Sequence, residues 1–422
     1  MLDRARLVRA LSAFALGAVT IATVVFAGAC ERVTAFTITG SAGAGDTPSG
    51  PSNVAATGPG AVSRSMVLGG VATCALSLYG DAAAAAAELD VAAATLASSP
   101  TPENEAAARA AWSKTIGLWQ QAELLKVGPA GPTTLPAGEG LRDYVYSWPL
   151  VSRCLVEQAI VSRAYAKETW SETALVNTRG LAAAEYLLFY GGTDNGCSSS
   201  ASINSQGTWA ALGGDLAVRK REYAAVVAKD VAQRTAAIHA AWDTDQGFAA
   251  GLARSGASGA PFSSDQDALN AVSDGLFYLE NEVKDLKLGR PLGKTEDCTT
   301  PSCPDAVESQ FARAARDHIK NNLIGFQRIF DGCDEAADTG FDDLLRSAGA
   351  GDLADQMNAD IGGAIAAADA LSSADLVVLV DSERANVEAL HAAVKRLSDE
   401  LKTDFATILD LELPKTVEGD ND

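Results

Sequence analysis

Two positions one helical turn apart carry the clearest chemical signal in this chain, and only one of them has a donor atom. In the run Thr178-Arg179-Gly180-Leu181-Ala182-Ala183-Ala184-Glu185-Tyr186-Leu187-Leu188-Phe189, positions 182 and 185 fall on one helix face, so a ligand at each could share a cation. Glu185 can coordinate a metal or exchange a proton, whereas the methyl group of Ala182 has no lone pair. Glu185 reads equally well as an acid satisfied by a neighbouring arginine or by hydrogen bonds at a helix end. Histidine is scarce: His239, His318 and His391 are the only three, and none stands in an HExxH or HxxE spacing. Each lies beside an apolar helical stripe, which predicts a side chain at the edge of the core. No GxSxG elbow, phosphate-cradling loop or dinucleotide fingerprint occurs.

The elements that must position these residues read as helices throughout. Apolar content is 47%, carried by alanine and leucine rather than by β-branched or aromatic residues, and no stretch alternates with the period of a strand. An alanine-rich helix is expected from Asp81 to Ser98. Thr101-Pro102-Glu103 then supplies a cap, a first-turn proline and an acid for the helix dipole, opening a helix that ends at Gly128-Pro129 with Trp112 and Trp119 on its core face. Further helices are expected over 152–167, 178–190 and 208–242, with a Gly/Ser/Asn-rich loop from 191 to 207. Three apolar seams follow: Leu269 to Leu286, Phe311 to Phe330, and Val387 to Leu401. Their short connections favour antiparallel bundles, and the Gly/Ser-rich segment from 251 to 264 divides the chain into an N-terminal bundle, 66–255, and a C-terminal bundle, 256–422. The acidic stretch 331–343 lacks the spacing of a calcium loop and reads as a solvated connector.

Arg4, Arg6 and Arg9 precede an uncharged run that ends Ala27-Gly28-Ala29-Cys30, the order of an export signal with a lipid-accepting cysteine. Residues 1–30 are therefore read as a signal peptide with lipidation at Cys30, and 31–65, rich in Gly, Ser and Pro, as a tether too poor in large apolar residues to fold. No later segment reads as apolar enough to span a bilayer. Six further cysteines in an exported chain imply three disulfides, and Cys298 with Cys303 could close a small loop. A formal charge of −21 repels phosphate backbones, which excludes general nucleic-acid binding.

Several blocks, in order, resemble the imelysin family: Ala111-Trp112; Trp119-Gln120-Gln121-Ala122-Glu123 with Val127-Gly128-Pro129; Ser147-Trp148-Pro149; Arg179-Gly180 to Phe189; Asn281-Glu282-Val283-Lys284-Asp285; Pro291-Leu292-Gly293; Glu308-Ser309-Gln310-Phe311; and Asn322-Leu323-Ile324-Gly325. The resemblance runs from about Val71 to Pro414. It implies an all-α fold of two bundle-like halves with a cleft between them, an exported location and a link to iron uptake; some members are described as peptidases. The family's GxHxxE signature falls on Gly180, Ala182 and Glu185, so the histidine is replaced. Matching positions Glu123, Arg142, Trp148, Arg179, Glu282 and Glu308 are the expected remainder of a cleft, against the plainer reading that Trp148-Pro149 punctuates a helix and the acids are surface groups.

Three functions follow as expectations. The first is a non-enzymatic accessory protein, anchored to the membrane by lipid on the periplasmic side or the cell surface, that binds iron or an iron-bearing ligand, with Glu185 as the one metal-capable group of the motif and iron or another divalent metal as the cofactor considered. The second is a metallopeptidase in which His239, His318 or His391 supplies the missing ligand. The third is a structural or interaction module whose cleft is closed by packing.

Overall fold

The structure, a computed structural model, describes residues 61–243, 246–333 and 339–417. The signal peptide, Cys30, the tether as far as residue 60 and residues 334–338 of the acidic connector lie outside the described residues. Among them the secondary structure is helical and no strand occurs.

Helix α1 (Arg64–Ser98) is capped by the Ser63 hydroxyl, which accepts from the Met66 amide. It begins well before the expected Asp81, because glycines that look like breakers in sequence lie inside it, and two of them, Gly70 and Gly80, serve as contact points. A Cβ at Gly70 would collide with the carbonyl of Thr339, and one at Gly80 would approach the His239 ring. By length and composition α1 could cross a bilayer, contrary to the expectation that no later segment could. Val67, Val71, Leu78 and Leu89 are instead buried against α2 (Pro102–Ala122) and the long helix Asp215–Trp242, as befits a core helix.

Thr101 caps α2 as its sequence predicts, and Trp112 and Trp119 are fully buried. The helix ends at Ala122, one turn before Gly128-Pro129, which form a separate 3-10 turn. Helix α3 (Arg153–Ser162) stops where Arg163 turns left-handed, and α4 (Gly180–Phe189) and α5 (Asp215–Trp242) follow. The first apolar seam is split between α6 (Asp265–Leu276) and α7 (Leu279–Gly289), a more widely wound π-helical segment. The second seam forms α8 (Ala315–Asp331), but its first residue, Phe311, sits in the preceding loop. Helices α9 (Gly351–Asp369) and α10 (Arg384–Glu400) complete the main packing.

Helices on both sides of residue 255 share one apolar core, with α2 packed on α8 and α1 on α6. Two bundle-like halves arising by internal duplication, as the resemblance implies, are compatible with this packing. Three disulfides staple it: Cys74–Cys333 joins α1 to the end of α8, Cys154–Cys197 joins α3 to the loop after α4, and Cys298–Cys303 closes the small loop expected.

Candidate functional site

Helix α4 owes its position to its first residues. Gly180 adopts φ 74° and lies so close to the preceding chain that a Cβ would stand 2.6 Å from the Val145 carbonyl oxygen. The Trp112 indole donates to the Leu181 carbonyl at 2.8 Å, fixing α4 against α2. Arg179 is fully buried, donates from Nε to Asp230 of α5 at 2.9 Å and lies between the rings of Tyr144 and Trp170. Arg179 and Gly180 therefore hold the motif helix in place rather than face a cavity.

So placed, α4 turns Ala182 and Glu185 together into a pocket of about 500 Å³. Its walls come from both sides of residue 255: Trp148, Arg153 and Tyr186 on one, Arg290, Asp305, Ser309 and Phe311 on the other. The Trp148–Pro149 bond at its edge is cis. Glu185 is 5% exposed, and its Oε1 accepts three hydrogen bonds, from Ser309 Oγ at 3.1 Å and from the Phe311 and Ala312 amides at 2.9 Å each. These bonds hold the 309–312 turn, where Ser309 itself is left-handed. Burial raises the Glu185 pKa, opposed by the two amides, His318 and Ser309.

Behind the 307–309 wall lies a separate buried polar cluster that gathers Glu123, Arg142, Glu282 and Glu308, none of which lines the pocket. Glu123 accepts from Trp119 Nε1 at 3.1 Å, from Arg142 at 3.2 Å and from the Tyr278 hydroxyl at 2.6 Å. Glu282, at the edge of the cluster, pairs with Lys126. Glu308 accepts from Tyr146 at 2.6 Å and Gln120 at 3.1 Å, and its Oε2 lies 3.2 Å from Lys287 Nζ and 3.3 Å from His318 Nδ1. Burial alone would raise its pKa, but Lys287 and His318 outweigh that and hold it down at about 2. Burial beside Glu308 pushes the Tyr146 hydroxyl well above its usual range. His318 is thus a core residue, 1% exposed, and not the boundary residue its stripe predicts; His239 and His391 are half-buried.

Of the residues expected at a cleft, Trp148, Ala182 and Glu185 line this pocket, together with Ser309, Phe311, Arg153 and Arg290, which the sequence does not single out for it and which arrive from loops and helix ends. Nor does the sequence single out Lys287, whose ammonium is buried between Gln120, Asn322 and Glu308. The signal available was a lysine beside the apolar seam of α7, a position that calls for a partner when buried. A second hollow, of about 550 Å³, lies by Pro129, Phe248 and Pro261. It is walled by small residues, with Glu139 and Arg254 its charged groups, so the chemistry points to the Ala182 pocket.

The imelysin (peptidase M75) family model matches residues 75–403, well over half of the chain. This protein belongs to the imelysin family. Iron-regulated protein A of Synechococcus elongatus is 24% identical over 257 residues, which is 60% of this chain and 60% of that protein, so the match spans about three fifths of the relative's length. Two crystal structures share the fold: an iron-regulated protein A precursor from Parabacteroides distasonis, with TM-score 0.64, 19% identity, and coverage of 82% of this chain and 96% of that one; and an imelysin-like protein from Psychrobacter arcticum, with TM-score 0.61, 17% identity, and coverage of 84% and 98%.

A resident metal does not fit this imelysin's motif face. Ala182 has no donor atom, Oε1 of Glu185 is engaged by the 309–312 turn, and no group of three or more His, Cys, Asp or Glu side chains able to hold a metal ion occurs among the described residues.

Proposed function

We propose that this imelysin is an exported, lipid-anchored binding protein that takes up iron as part of an iron-bearing ligand and performs no peptide hydrolysis. One observation carries the reading: Ala182 and Glu185 face the same pocket, with a methyl group where the family signature has histidine. Without that imidazole the motif keeps a shaped cavity and a carboxylate but has neither a metal ligand nor a base at position 182. The iron context is supported by the names of the relatives. Export is supported by three disulfides, which persist in oxidising compartments, and anchoring by the order of charge, apolar run and Cys30 in the sequence.

The peptidase reading has one observation in its favour: His318 lies within electrostatic range of Glu185. Its ring, however, faces Glu308 and does not line the pocket. The two readings separate in one experiment. The full-length chain in detergent is dialysed against ferric citrate, haem, a ferric hydroxamate with a free amine arm and free ferrous iron, and assayed in parallel for hydrolysis of a peptide mixture with and without added zinc. Saturable binding of an iron-bearing compound without hydrolysis is the expected result; zinc-dependent cleavage abolished by His318→Ala, or no binding of any compound, would overturn it.

A further inference from the structure

The charges around the pocket are unevenly committed. Arg153 is engaged by Glu157 at 2.8 Å and Asp194 at 2.9 Å, and Arg290 by Asp297 at 2.7 Å. The carboxylate of Asp305, exposed on the rim, makes no ion pair among the described residues. Deeper in, the three hydrogen bonds to Glu185 all fall on Oε1, so Oε2 accepts none among the described residues. The cation-capable group within electrostatic range of Glu185, His318, turns Nδ1 toward Glu308 instead. The uncommitted charge of the wall is therefore negative, and its innermost part is Oε2 of Glu185, a side chain only 5% exposed. A buried anion without a paired cation is costly, and a ligand able to supply that cation gains what the protein forgoes.

The rest of the lining suits the carbon frame of such a ligand. Ala182 leaves open the space one turn from Glu185 that a larger side chain would fill. Trp148, half-buried on the wall, stacks on no aromatic ring or cation among the described residues, and Phe311 also lines the pocket. Free indole faces attract cations. We infer that the pocket takes a small organic cation, an amine or imidazolium, whose N–H donates to Glu185 Oε2 while its apolar frame lies over Ala182 between Trp148 and Phe311. The inference rests on this pocket being the ligand site, and it adds the chemical class of the ligand.

Calorimetric titration of the full chain with phenethylammonium, phenethyl alcohol and phenylacetate, at neutral pH and one ionic strength, tests it with three probes of the same frame and different charge. The cation binds about tenfold tighter than the alcohol or better, the gain of a charge-assisted hydrogen bond, and phenylacetate gives no saturable heat. Glu185→Gln keeps an oxygen for the 309–312 turn and erases the preference for the cation. Ala182→Leu fills the hollow and removes binding of the cation even if Glu185→Gln does not fold. Equal affinities for cation and alcohol, tighter binding of phenylacetate, a preference that survives Glu185→Gln, or cation binding that survives Ala182→Leu would each overturn the inference. If Ala182→Leu abolishes binding of an iron-bearing compound while the three probes show no charge preference, the ligand class is wrong and the pocket stands. If Ala182→Leu affects no ligand at all, the pocket itself is wrong.

Discussion

Glu185 holds the 309–312 turn with one oxygen and presents the other to the pocket, and the two duties pull its stability in opposite directions. Its folded pKa is raised, with burial outweighing the Phe311 and Ala312 amides, the Ser309 hydroxyl and His318 of α8. Tyr146 also faces it electrostatically. A carboxyl whose folded pKa is raised is stabilised by taking up a proton, so its ionised form costs stability at neutral pH and that cost fades as pH falls through the raised value. Glu185→Gln is therefore expected to raise the midpoint of thermal unfolding at neutral pH, with the difference from wild type shrinking at low pH. Calorimetric melts across pH check this, and a loss of stability in the variant at every pH would contradict it. The sequence made this residue legible because positions 182 and 185 share a face on any helix. It hid the partners of Glu185, since Ser309, Phe311 and Ala312 reach it from a turn more than a hundred residues away.

At the scale of elements, helices with a clean apolar period were readable and those punctuated by glycine were not. Thr101 and the paired tryptophans announced α2, whereas the start of α1 was obscured by glycines whose purpose is tertiary approach. The split between α6 and α7 was invisible because one continuous seam fits both. Helix α7 also brings Lys287 into the core, where its ammonium bonds Gln120 at 2.7 Å and Asn322 at 2.8 Å and faces Glu308. Removing one partner of a buried ion pair leaves the other uncompensated, so Lys287→Met is expected to destabilise the fold by about 3–5 kcal/mol in denaturant titration. The same cluster sets an acid limit. Glu308 titrates at about 2 in the folded chain against 4.5 ordinarily, so its stabilising contribution is complete above its unfolded pKa and is lost as pH falls toward the folded one. Lys287→Met should accordingly move acid unfolding to higher pH; an unchanged acid midpoint would show that Lys287 does not sustain the depression.

The whole molecule is an all-α body whose one apolar core joins helices from both sides of residue 255, and its pocket is walled from both sides as well. The resemblance implied a cleft between two halves but not a core shared across residue 255, and periodicity could not supply it, because seams say that helices need partners without saying which. The cysteine count gave three bridges, but pairing is a property of the fold: Cys74 and Cys333 stand 259 residues apart and meet only because α1 packs where α8 ends. Closing so long a loop restricts the unfolded chain strongly, and the double variant Cys74→Ala/Cys333→Ala should lose about 2–5 kcal/mol of stability by denaturant titration, with the pocket's ligand affinity retained. If the face bearing Ala182 and Glu185 is a ligand site freed from metal chemistry, a crystal structure of the chain with the iron-bearing compound it retains on dialysis will show the compound there. Density for that compound over Ala182 and against Glu185 is expected; the compound bound elsewhere, or a metal ion held by His318 and Glu308 beside an open water position, would rule out a metal-free ligand site on this face.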